Sequence, residues 1–243
     1  MPTKTRNWIP FLDALSVGLW GVTLWKLWLT QEIFLLLHPN YIPLVVVAGP
    51  ILLGMGGWQF YEHWRKPPLR TGHQNALAPG WSSTLLLVSA VLGLIVTPRP
   101  FTSQIAIDRG VADFSSLRPA AFRANARPED RTLLDWVRTL DVYPEPEAYR
   151  GQKARIEGFV VRSPDLPPGY FRLVRFVITC CAADVYPVSL PIRYTGNSED
   201  YPSDRWLRVE GAATVTEIRG KRQLAIAAQT LVPIPQPRNP YEI

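Results

Sequence analysis

Histidine and cysteine are scarce in this 243-residue chain, with three of the first and two of the second. All three histidines (His38, His63, His73) precede residue 98, and both cysteines (Cys180, Cys181) follow it. That separation removes the ordinary Cys–His nucleophile pair from the second part of the chain, and it removes imidazole from any metal site there. There is no C-x-x-C, the usual spacing of a thiol oxidoreductase. A phosphate-cradling glycine loop is also missing; the glycines of "LLGMGGWQF" sit inside an apolar run, where Gly54 and Gly57 read as a helix-packing face. Nor is there a run of five or six like charges, so nucleic acid is not an expected partner. These absences point away from an enzyme.

Charge is unevenly distributed. Residues 1–97 hold six Lys/Arg and three Asp/Glu, while residues 98–243 hold 20 and 17. The net charge of +6 therefore splits evenly between the parts, yet seven of the nine tryptophans lie in the first. A Trp-rich, charge-poor segment reads as membrane. Three apolar stretches, 8–29, 41–60 and 81–97, approach the roughly 20 residues that a span needs. The second is free of charge and the third is at the short limit. The first carries Asp13 and Lys26 near opposite ends, about 20 Å apart along a helix and well apart around it, so they serve as terminal anchors and not as an ion pair. It is too long for a signal-peptide core, and no small-residue cleavage site follows it.

Loop charges give the orientation. Lys4 and Arg6 precede the first stretch, Arg65, Lys66 and Arg70 follow the second, and "TQEIFLLLHPN" between them has no Lys or Arg. The positive-inside rule then predicts a multi-pass inner-membrane protein with a cytoplasmic N-terminus and everything beyond residue 97 extracytoplasmic.

The second part reads as a linker over 98–150 and a β domain over 151–243. Within the linker, "RPEDRTLLDWVRTLDVYPEPE" predicts a helix over 128–142, opened by Pro128 and closed by Pro144 and Pro146. Leu133, Leu134, Trp136, Val137 and Leu140 form its apolar stripe, which packs on its own domain or docks a partner. After Gly151 the period falls to two. Strands are expected at 153–162, 171–179, 187–194, 205–217 and 223–232, with turn-rich breaks between them. Gly158 and Gly211 fall mid-strand, as at barrel corners. The expected fold class is an α+β membrane protein: N-terminal transmembrane helices followed by a small all-β, OB-like barrel, with a sandwich as the alternative.

Four stretches, "LLLHPNYIPL", "TPRPFTSQIAIDRG", "RFVITCCAAD" and "DRWLRVEGAATV", carry a family likeness. In them the chain resembles the YcgQ-like family of permease accessory subunits, whose C-terminal domain has no known function. The resemblance implies a membrane-anchored subunit working beside a separate multispanning permease, in the handling of a metal ion or small solute.

"RFVITCCAAD" is its specific element, and three readings of it stay open. If the strand continues, one cysteine packs inward as a small apolar residue. A disulfide between adjacent residues is strained, because their Cα atoms lie about 3.8 Å apart. Alternatively, Cys180, Cys181 and Asp184 contact zinc or copper(I), with Arg175 as the cation that favours thiolate. Two further functions compete with permease service: a membrane-tethered thiol redox protein, and a module binding cell-envelope polymer through Tyr170, Phe171 and Tyr194.

Overall fold

The computed structural model describes residues 8–65, 81–110 and 127–243, in two compact units, Met1–Arg99 and Pro100–Ile243. Lys4, Arg6, Lys66, Arg70 and His73, used above for topology and histidine placement, lie outside the described residues.

The first unit contains α1 (Ile9–Leu29), α2 (Ile42–Arg65) and α3 (Trp81–Ile95). All three apolar stretches are thus helical. Among the described residues one helix, spanning Pro39–Arg65, is long and apolar enough to cross a membrane; α3 is apolar but has only 15 residues. Asp13 and Lys26 do not pair with each other: Ser83 of α3 donates to Asp13, and Lys26 holds Glu32 at 2.6 Å. Thr23 ties α1 to α3 by donating to Ala90 O at 3.2 Å.

The packing glycines of α2 differ from those expected. A Cβ added to Gly54 or Gly57 would meet nothing within 4 Å, whereas one on Gly56 would lie 2.8 Å from both Ala14 O and Gly18 N of α1. Gly49 is likewise buried, its carbonyl 2.8 Å from the Cβ position of Gly21. Four glycines on one helix offer several faces, and the crossing with α1 selects Gly49 and Gly56.

Among the described residues the second unit contains α4 (Ser103–Asp108), α5 (Leu133–Val142) and six strands: β1 (Lys153–Val161), β2 (Tyr170–Val177), β3 (Tyr186–Arg193), β4 (Trp206–Ile218), β5 (Lys221–Pro233) and β6 (Tyr241–Glu242). The segment 98–150, read from sequence as a linker, therefore contributes α4 and α5 to this unit. The helix expected from Pro128 begins later. Residues 128–130 form a 3-10 turn, Arg131 is extended, and Thr132 caps α5. Thr132 Oγ1 accepts from Asp135 N at 3.2 Å, while the Asp135 carboxylate accepts from Thr132 N at 3.1 Å. This reciprocal capping box outweighs the proline because it satisfies two orphan donors at once.

Strand order in the sheet is β1-β4-β5-β3-β2-β6, and β1 pairs with β2 as well as with β4. The β3–β5 and β2–β6 pairs are parallel; the others are antiparallel. β1 hands over from β4 to β2 at Phe159, and a Cβ on the preceding Gly158 would sit 2.6 Å from Val174 O. Between β4 and β5 the register shifts at Glu210/Gly211, where a Cβ on Gly211 would lie 2.1 Å from Ala227 O. Both mid-strand glycines mark places where two backbones close on each other.

Two apolar clusters fill this unit. One lies among the strands and includes Leu133, Leu134, Trp136 and Val137 of α5, so the helix stripe faces its own unit. The other joins Phe159, Val161, Val174, Phe176 and Ile178 to Ala106 of α4, with Phe101 and Ile105 packed on it. Asp204, at φ +66°, holds the start of α4: it accepts from Ser103 N at 2.6 Å and from Ser103 Oγ at 3.1 Å.

Candidate functional site

β2 ends at Val177, Ile178 is buried, and the chain then leaves the sheet. The cysteines thus stand on the β2–β3 connection and not on a continued strand. Neither is fully buried; Cys180 is exposed and Cys181 half-buried, so inward packing does not account for the pair. A tight turn follows, with Asp184 N donating to Cys181 O at 3.0 Å. Ala182 and Ala183 occupy its middle, where small side chains leave the thiols uncovered.

Asp184 organises this loop. Its carboxylate accepts from Cys180 N at 2.7 Å, Thr179 N at 3.3 Å and Cys181 N at 3.4 Å, and also from the Thr179 hydroxyl. Burial opposes its ionisation, but these donors outweigh burial and hold its pKa down at about 2. A carboxylate so engaged gathers backbone N–H groups and has little capacity left as a metal ligand. Thr179, which sequence reasoning passed over, is part of this arrangement.

The thiol sulfurs of Cys180 and Cys181 lie 3.6 Å apart. Hydrogen bonding to Asp184, then to Cys181, pushes the Cys180 thiol up to about 11. Arg175 is occupied elsewhere. Its guanidinium is buried, donates to Tyr241 O at 2.8 Å, lies 3.8 Å from Glu242 and sits over the Trp206 ring at 5.3 Å. The cation offered by the sequence as thiolate partner thus fastens the C-terminal segment to β2. Arg109 fixes the far side of the loop by donating to Val185 O and stacking over Phe101 at 5.0 Å. A lone arginine after a six-residue helix carries no sequence signal for that role.

Replacing Asp184 with Asn removes the negative charge that holds the Cys180 proton and leaves a weaker, neutral acceptor. Iodoacetamide should then alkylate Cys180 at pH 7 at least about tenfold faster than in the parent, because thiolate is the reacting form. In the parent the rate should keep climbing with pH to about 11. Equal rates in the two proteins would separate the carboxylate from the thiol.

The spacing fits a shared ion. Two sulfurs bound to one zinc ion at about 2.3 Å in tetrahedral geometry stand about 3.8 Å apart, close to what the loop presents; linear coordination needs about 4.6 Å. Among the described residues, no group of three or more His, Cys, Asp or Glu side chains is disposed to hold a metal. His38, in the first unit, accepts from Asn40 N at 3.2 Å and caps a short 3-10 turn.

A helical unit with one helix of membrane-crossing length, followed by a strand-rich unit with a vicinal cysteine pair on a loop, describes an α+β protein. Residues 127–242, just under half of the chain, match the family model of the DUF1980 C-terminal domain, a domain of unknown function. The match begins at the turn before α5 and takes in every strand, the cysteine loop included. Neither the curated proteins nor the solved structures give a match.

Proposed function

We propose that this protein is a membrane-anchored accessory subunit of a permease, and that its β unit presents a soft metal ion to the transporter through Cys180 and Cys181. The observation that carries the reading is the exposed Cys180 thiol 3.6 Å from the half-buried Cys181 thiol, on a loop whose backbone N–H groups are gathered by Asp184. Two protein ligands leave room for others from the solute or a partner chain, which suits transfer better than storage.

Two features support a three-helix membrane unit, for which the loop charges of the sequence propose the β unit outside. Phe11 meets Phe60 and His63, and Asp13 meets Ser83, so the start of α1, the end of α2 and the start of α3 share one end. Trp8, Trp64 and Trp81 are exposed at that end, with Trp25, Trp28 and Tyr41 exposed at the other. Two belts of exposed aromatics are what a bilayer's interfaces favour. An OB-like barrel is supported by the return of the pairing circuit to β1, the parallel β3–β5 pair and the glycine corners.

Competing functions fit less well. A thiol oxidoreductase ordinarily carries C-x-x-C, whereas the cysteines here are adjacent. A polymer platform needs exposed rings, yet Phe171 and Tyr194 are buried and Tyr170 is half-buried, its hydroxyl 3.1 Å from Thr216 Oγ1.

The chain's two cysteines make one experiment serve both parts of the proposal. A membrane-impermeant maleimide should label intact cells, and zinc or copper(I) should protect against it. The full-length protein in detergent should take up one zinc ion per thiol pair, and the Cys180→Ser/Cys181→Ser variant none. Labelling only after lysis would reverse the topology; undiminished zinc uptake by the double variant would remove the thiols from the function.

A further inference from the structure

A second site lies away from the cysteines, on the loop between β1 and β2. Arg172 is a charged residue in the middle of β2, and its side chain is 1% exposed. The Asp165 side chain, itself 5% exposed on a half-buried loop residue, lies 2.7 Å from Nη2 and also accepts from the Ser163 hydroxyl. One carboxylate does not satisfy a guanidinium. Nε and Nη1 of Arg172 are buried and find no acceptor among the described residues. An arginine fork with two unused nitrogens is matched to a planar or tetrahedral oxyanion with more than one free oxygen.

The loop over this guanidinium is lightly held. Its sequence is "SPDLPPG", in which Pro164, Pro167 and Pro168 have no N–H to donate, and Leu166 N reaches Ser163 O at 3.2 Å. Gly169 closes it at φ +82°. The side-chain pair Asp165–Arg172 is thus a principal fastening between the loop and β2. Segments with few backbone bonds open at lower free energy than the sheet beneath them.

We infer that Arg172 is an oxyanion-binding site which Asp165 occupies as an internal stand-in, and that an external carboxylate or phosphoryl group displaces Asp165 and releases the loop. Such a ligand would bind bidentate, taking the freed Nη2 together with either Nε or Nη1, two nitrogens where Asp165 takes one. The first interstrand loop is also a usual ligand contact in five-stranded barrels, so the site is consistent with the fold reading above but does not depend on the cysteines.

The test uses the full-length protein in detergent, with inorganic phosphate and succinate as separate probes and sodium chloride at matched ionic strength as control. Asp165→Asn keeps the side-chain shape and removes the competing charge. It should bind one or both probes at least about tenfold more tightly than the parent, and they should raise its melting temperature by mass action. A response to phosphate alone or succinate alone assigns the ligand class. Adding Arg172→Gln should abolish the response. Should Asp165→Asn fail to fold, the parent decides: saturating probe should speed hydrogen exchange of the Ser163, Asp165 and Leu166 amides and leave β4 and β5 unchanged. Unaltered exchange, equal affinity of variant and parent, or binding that survives Arg172→Gln would each reduce the pair to a structural salt bridge.

Discussion

Gly211→Ala should melt the β unit on the order of 10 °C below the parent, the cost of about 3 kcal/mol of overpacking in a unit of this size. The new methyl carbon would lie 2.1 Å from Ala227 O and 2.9 Å from Ala227 C. Both are backbone atoms of the paired strand, so no side chain can swing aside to make room. Relief would require β4 and β5 to separate at the register shift, where the ladder is already interrupted between Glu210 and Gly211. Circular dichroism of the full-length protein in detergent would record the loss as an early strand transition. Gly54→Ala is the matched control, since its new methyl meets nothing within 4 Å. A Gly211→Ala protein melting within about 2 °C of the parent would mean that the strands do not approach this closely.

Trp136→Ala should have an effect of similar size through a different mechanism. Trp136 is fully buried, with Tyr149 edge-on at 6.2 Å and the Arg131 guanidinium over its ring at 5.1 Å. Truncating a buried tryptophan costs about 3–5 kcal/mol, from lost transfer energy and from the cavity left between α5 and the strands. The variant also discriminates between the two uses of the α5 stripe. If the helix serves its own unit, thermal melting of the isolated protein falls sharply. A docking helix would leave melting intact and show its loss only when a partner is present.

Much of the β unit was legible because its strands alternate and its turns are rich in Gly, Pro, Asn and Asp. The five expected strands lie within a few residues of β1–β5. β6 escaped because two residues carry no period, and "PIPQPRNP" before it reads as irregular chain. The start of α5 was misplaced because Pro128 resembles an opening residue, while the stronger signal, Thr132 with Asp135, stands four residues on. At the candidate site, sequence singled out Cys180, Cys181 and Asp184, while how their side chains are partnered was not legible. Asp184 is the nearest acid to the thiols in sequence, yet its oxygens serve N–H groups of the same loop, a partition that only backbone conformation decides. Arg175 lies five residues before Cys180, but strand geometry directs it to Tyr241 and Glu242.

The parallel contact of β3 with β5 bears on how the unit forms. β5 is the element that joins β4 to β3 in the strand order, so the circuit cannot close until residues 221–233 have been made. β1 and β4, with registers such as Ala154 to Gly211, must also find each other across more than fifty residues. Pairings between such distant segments carry a large loop-closure cost before they contribute any stability, and folding dominated by them runs in milliseconds to seconds. Until β5 arrives, β3 and β4 have exposed edges and the apolar faces meant for Leu224 and Ile226 are wet, an interval in which an unfinished β unit is open to aggregation.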